Sequence, residues 1–168
     1  EIANACGERA LGSLRAERAL TMRGVDRPMV KARAAGVLLT PDTIERGRLM
    51  LREAAESASD PFEVYTIARG MVFAGGGLNV PEMLEEGILI IEELADEHRE
   101  LPIIMYDLSV LLYQIGRRDE GVARLIQAAE LDERNVLLAQ RAADLNQAMG
   151  NMEASARWQE EADRRATP

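Results

Sequence analysis

"LLYQIGRRDEGVARLIQAAELD", residues 111–132, carries a helical apolar stripe into a glycine turn and out again into a second helical stripe. Sliding the sequence against itself by 34 residues places "LNQAMGNMEASARWQEEADRRA", residues 145–166, beneath it. Leu111 then stands over Leu145, Gly116 over Gly150 and Ala128 over Ala162. The identities are few, but they fall where a chain must turn or where two helices must approach. The stretch therefore reads as a repeated pair of helices.

The same grammar covers most of the chain. Pro102 opens a helix with Met105, Leu108, Ser109 and Leu112 on one face, and Val122, Leu125, Ile126 and Ala129 mark its partner after Gly116. The next pair runs from about Asn135 through Leu138, Ala139, Ala142, Ala143 and Leu145, turns at Gly150 and Asn151, and continues to about Arg165. Toward the N-terminus, Val64, Ile67, Ala68 and Met71 recur at helical spacing from Pro61, and the run "GGG" at 75–77 is expected to end that helix. Asn79 is then expected to cap "NVPEMLEEGILIIEELADEH", whose apolar stripe is Met83, Leu84, Ile88, Ile91 and Leu94. The predicted hairpins span 61–98, 102–132 and 135–165. Before Pro61 the pattern predicts a further, divergent hairpin over residues 27–60, with Thr40 as cap and Pro41 in the first turn of its second helix. A leading helix over residues 1–22 and a linker ending at Asp26 precede it.

Composition agrees with an all-α chain. Aromatic residues make up 4% of it while Ala, Leu, Glu and Arg abound, which leaves little material for strands. Twenty basic against twenty-nine acidic residues give a net charge of −9, which disfavours nucleic acid and anionic membrane surfaces as partners. No apolar run reaches the length of a membrane span, so direct membrane insertion is not expected. The single Cys6 forms no internal disulfide, and the compartment stays open between cytoplasm and periplasm.

The 34-residue offset, the pairs Leu108-Ser109 and Ala142-Ala143, the turn residues Gly116 and Gly150, and Ala128 and Ala162 together resemble the tetratricopeptide repeat family. Ile67-Ala68, Met71, Ala74 and Gly75 fit the same pattern, and residues 61–165 carry the resemblance better than those before them. Gly121 and Ser155 replace the usual alanine, Glu133 replaces a usual proline, and no large aromatic stands at Met105 or Ala139, so the repeats are divergent. The resemblance implies a right-handed α-solenoid of helical hairpins, residues 61–168 forming its repeats. It also implies that the first helix of each hairpin lines the concave side. On that register the partner-facing set is Phe62, Tyr65, Arg69 and Phe73, then Ile103, Tyr106, Asp107, Val110, Tyr113 and Gln114, then Leu137, Gln140, Arg141, Asp144 and Gln147. Tyr65, Tyr106 and Tyr113 are expected as anchors in a recognition groove, and Arg69, Asp107, Gln114 and Arg141 as the residues that set its polarity. Phe62 and Phe73, which lack a polar tip, are expected in the core between helices. Related arrays that bind acidic chaperone tails use a Lys, Asn and Arg clamp on these helices, and this face does not supply it. The polar final helix reads as a cap, with Trp158 closing the array against the preceding hairpin.

Little material for catalysis is present. His98 is the one histidine and stands at a helix end, so no His-pair metal site is possible, and Cys6 in "NACGER" reads as a small buried residue. "AGGGLN" lacks both the preceding strand and the Lys-Ser/Thr tail of a phosphate loop. The sequence thus points to a non-catalytic scaffold that binds a protein or peptide and carries no cofactor. Two competing expectations are the accessory repeat segment of a larger membrane-anchored or exported protein, and a homo-oligomerisation module.

Overall fold

In a computed structural model the described residues are 27–37, 39, 40 and 42–167. The expected leading helix, its linker and Cys6 lie outside them. Eight α-helices and no strand occur among the described residues. They are α1 (Pro28–Val37), α2 (Ile44–Ser57), α3 (Pro61–Leu78), α4 (Pro81–Glu97), α5 (Pro102–Gln114), α6 (Arg118–Leu131), α7 (Val136–Ala148) and α8 (Met152–Ala166). The described residues divide into two compact units, one reaching to residue 91 and the other starting at residue 92, with the boundary inside α4.

In the first unit α1 packs on α2 and α2 on α3, around Ala35, Leu51, Ala54, Ala55, Ile67, Met71 and Met83. The α3–α4 pair corrects the sequence expectation. The helix does not end at the triple glycine but runs through it to Leu78, and Asn79 closes it in the left-handed conformation (φ 57°, ψ 50°) with its N–H on the carbonyls of Gly75 and Gly76. Asn79 therefore caps the end of α3 rather than the start of α4, a place where Asn is tolerated because its short polar side chain accepts αL backbone. Packing supplies the reason for the first glycine: a Cβ on Gly75 would lie 2.5 Å from the backbone nitrogen of Leu84. A Cβ on Gly87 would likewise lie 2.7 Å from the carbonyl oxygen of Ala68. The two helices approach closely enough to require bare backbone at both points.

The same device recurs. Gly121 would place a Cβ 2.7 Å from the carbonyl of Ser109, and Gly47 would place one 3.3 Å from that of Ala35 and 2.7 Å from Leu39 Cδ2. Ala35 and Gly47 stand twelve residues apart, as do Ser109 and Gly121. The pairing rule therefore extends into residues 27–60, where the sequence resemblance is weak. Ala68 and Gly87 stand nineteen apart. Those seven additional residues are about two helical turns, one added to α3 and one to α4, which returns both helices to the same facing orientation. Ahead of α2 the cap also differs from expectation. The helix begins at Ile44 after Thr43, and the Thr40 hydroxyl lies 2.7 Å from that of Thr43 instead of capping the helix.

In the second unit α5 packs on α6, α6 on α7 and α7 on α8. Ile104, Leu108 and Leu112 are fully buried, each contributing roughly 1.5–3 kcal/mol. The buried Ser109 hydroxyl is satisfied by donating to the carbonyl of Tyr106 at 2.6 Å. Gly116 (φ 92°) and Gly150 (φ 79°) make the two turns with positive φ, which explains why glycine stands at both. Asn135 caps α7, its side chain accepting from the Leu138 N–H at 3.3 Å. Trp158 is 5% exposed with the Arg165 guanidinium 5.8 Å from its ring centre. Arg165 Nη1 reaches past it to donate to the carbonyls of Asp132 (3.1 Å) and Asn135 (3.3 Å), which ties α8 to the α6–α7 connection.

Candidate functional site

On α3 the buried residues are Ile67, Ala68, Met71, Val72 and Gly75, so the opposite edge carries Phe62, Thr66, Arg69 and Phe73. Tyr65 lies half-buried beside that edge. Asp60 starts the helix by accepting from the Phe62 N–H at 2.9 Å. Phe62 and Phe73, expected in the core, are 49% and 53% exposed. The Arg69 guanidinium lies 5.1 Å from the Phe73 ring centre. A cation over an aromatic face in water is a weak pairing that leaves both groups open to a further contact.

On α5 the burial alternates with the helical period. Ile104, Met105, Leu108, Ser109, Leu111 and Leu112 are buried, which leaves Ile103, Tyr106, Asp107, Val110, Tyr113 and Gln114 on the other face. Ile103 is 51% exposed, Val110 and Gln114 are exposed, and Tyr106, Asp107 and Tyr113 are half-buried. The Arg118 guanidinium stands 5.4 Å from the Tyr113 ring centre. On α7 the uncovered residues Leu137, Gln140, Arg141, Asp144 and Gln147 are all exposed, with Arg141 Nη1 3.7 Å from Asp144 Oδ2. The structure thus brings Tyr106, Asp107, Tyr113 and Gln114 together on one helix face. Arg141 stands on another helix of the same unit, and Tyr65 and Arg69 belong to the other unit.

Most of the strong electrostatics lies elsewhere, on the second helices. In the first unit Arg48 of α2 donates to Glu45 at 2.6 Å and to Glu86 of α4 at 2.8 Å, and Arg52 also reaches Glu86. In the second unit Arg117 bonds Glu92 and Glu120, and Arg124 forks onto Asp96. The hydrogen bond from Arg124 holds the Asp96 carboxyl below the usual carboxylate range. These pairs arise from residues that periodicity marks only as solvated. Arg48–Glu45 and Arg117–Glu120 show in the sequence through their i,i+3 spacing, whereas the pairs between helices, 25 to 38 residues apart, leave no local signal.

No group of three His, Cys, Asp or Glu residues that could hold a metal ion occurs among the described residues. His98 Nδ1 lies 3.0 Å from the Glu100 carboxylate at an exposed helix end. No helix among the described residues is long and apolar enough to cross a membrane.

No family model matches the chain, and no curated protein matches its sequence. Solved structures do resemble it. The structure titled "MamA MSR-1 C2" matches with a TM-score of 0.54 at 15% identity, over 96% of this chain and 88% of that one. "MamA AMB-1 P212121" matches with a TM-score of 0.55 at 16% identity, over 95% of this chain and 84% of that one. The likeness shows the fold. The chain is all-α and built of helical hairpins of the tetratricopeptide type.

Proposed function

We propose that this chain is a non-catalytic helical-repeat scaffold that binds a protein or peptide on the uncovered faces of its first helices. Tyr65, Tyr106 and Tyr113 are the anchors, and Arg69, Asp107, Gln114 and Arg141 set the polarity. The observation that carries this reading is the uncovered face of α5, where Ile103, Tyr106, Val110 and Tyr113 follow one another at helical spacing. Two of these four are exposed aliphatics and two are half-buried tyrosines. Such a stripe combines apolar area with hydroxyl groups at low ordering cost, which suits recognition rather than solvation.

The test is capture from the source cell's extract by wild type and by a Tyr106→Ala/Tyr113→Ala double variant, both shown to be folded by circular dichroism. A protein retained by the wild type and lost from the folded variant supports the assignment. Equal retention by the two removes α5 from the binding surface, and an unfolded variant moves the tyrosines into the core.

A further inference from the structure

The most acidic molecule can still contain a basic face, and here one stretch is free of acid. Residues 27–41 contain Arg27, Lys31 and Arg33 and no carboxylate, whereas residues 42–168 hold thirteen basic and twenty-five acidic side chains. Arg27 and Arg33 line a cleft of about 430 Å³ between α1 and α3, together with Met29, Val30 and Glu63. Neither arginine forms an ion pair among the described residues, in contrast to Arg48, Arg117, Arg124 and Arg165.

The cleft continues along α3. Glu63 is followed on the same side by Thr66 and Gly70, and then by the exposed Phe73 with Arg69 over its ring. Counting Arg27, Arg33 and Arg69 against Glu63 and Asp60, whose carboxylate lies beside Phe62, leaves this face positive by one charge. Its apolar content is Val30, Phe62 and Phe73, all exposed. Gly70 and Gly77 flank Phe73 with nothing within 4 Å of where a Cβ would stand, although Gly75 and Gly87 in the same hairpin each meet the backbone of the opposing helix. Bare backbone on either side of an exposed aromatic admits a second helix at close range.

We infer that the cleft between α1 and α3, with the exposed edge of α3, docks an acidic amphipathic helix of a partner protein. Carboxylates on that helix meet Arg27, Arg33 and Arg69, and its apolar residues cover Phe62, Phe73 and Val30. Charge complementarity selects the occupant, because residues 27–41 offer three cations and no carboxylate whereas residues 42–168 are strongly acidic in balance. The inference rests on the scaffold reading above and adds the chemistry of one partner.

The probe is a fluorescein-labelled synthetic amphipathic helix, with Leu and Phe on one face and Glu on the other, titrated with the whole chain by fluorescence anisotropy. Binding is expected to weaken as salt rises, and to fall about tenfold or more in an Arg27→Glu/Arg33→Glu variant. Phe73→Ala should weaken it as well, while charge reversal at the exposed Arg157 of α8, Arg157→Glu, should leave it unchanged. A chain that does not bind the acidic probe, or binds it equally after charge reversal, overturns the inference. The extract experiment is independent: capture that depends on Tyr106 and Tyr113 but not on Arg27 and Arg33 leaves the scaffold reading standing and removes only the acidic helix. Light scattering decides the remaining occupant, since a dimer abolished by the same charge reversal assigns the face to a second copy and overturns the partner helix.

Discussion

Glycines serve two opposite purposes in this chain, and the space around each one separates them. Gly87 sits where α4 crosses α3, and a methyl group there would strike the Ala68 carbonyl at 2.7 Å and Val72 Cγ2 at 2.9 Å. Gly87→Ala should therefore destabilise the chain by about 1–3 kcal/mol, the range for overpacking a close contact. Gly70 lies in the middle of α3 with nothing within 4 Å, so its flexibility opposes the helix without any compensating contact inside the described residues. Gly70→Ala should stabilise by about 0.5–1 kcal/mol. Urea unfolding of the two variants beside the wild type checks both signs. A stabilising Gly87→Ala would mean that the helices can separate at little cost and that the close crossing is not what holds this hairpin. The sequence displays all these glycines alike. Only the opposing helix distinguishes the required ones from the dispensable ones.

Helices and turns were largely legible, and the exceptions have physical causes. The offset between Gly116 and Gly150 was readable because positive φ strongly favours glycine, so the turn chemistry appears directly in the letters. The triple glycine misled because glycine ends helices by default, and nothing local announces that Leu84 will press against the backbone at Gly75. The free face of α5 was legible from its period, since a helix that buries Leu108 and Leu112 must uncover Tyr106 and Val110. The exposure of Phe62 and Phe73 was not, because hydrophobicity reports a tendency to be buried and not whether a neighbour stands within reach. The final helix offers a direct test at this scale. Glu161 receives hydrogen bonds first from Arg164 and then from Arg165, which hold its carboxyl down to about 2, against 4.5 for a free glutamate. A depressed folded-state pKa contributes stability that is present above the unfolded value and is lost as pH falls from about 4.5 toward about 2. Trp158, the only tryptophan, lies under Arg165 on the same helix, so its fluorescence reports this region. Acid titration should show a shallower loss of stability in Glu161→Gln than in the wild type across that window. Parallel curves would remove this carboxylate from the attachment of α8.

At the scale of the molecule, net charge and its distribution make separate statements. A charge of −9 opposes any long polyanion, because a duplex presents one negative charge per roughly 1.7 Å and must lie against acidic surface beyond whatever basic face it first meets. Three cations in residues 27–41 are too few to offset that, whereas a short acidic helix needs to contact only their immediate surroundings. At about 0.1 M salt the screening length is about 10 Å, so distant repulsion fades while ion pairs in contact persist. The chain should therefore discriminate between two ligands of the same sign. Labelled duplex DNA should show no change in anisotropy at about 10 μM protein and low salt, conditions under which a basic DNA-binding domain would already associate. The acidic helical probe should bind at about 0.1 M salt and lose affinity on reversal of Arg27 and Arg33. Binding of both ligands, with the steep salt dependence of counterion release, would mean that the basic stretch acts as a general anion site, and the apolar contacts at Phe62 and Phe73 would then contribute nothing to selection.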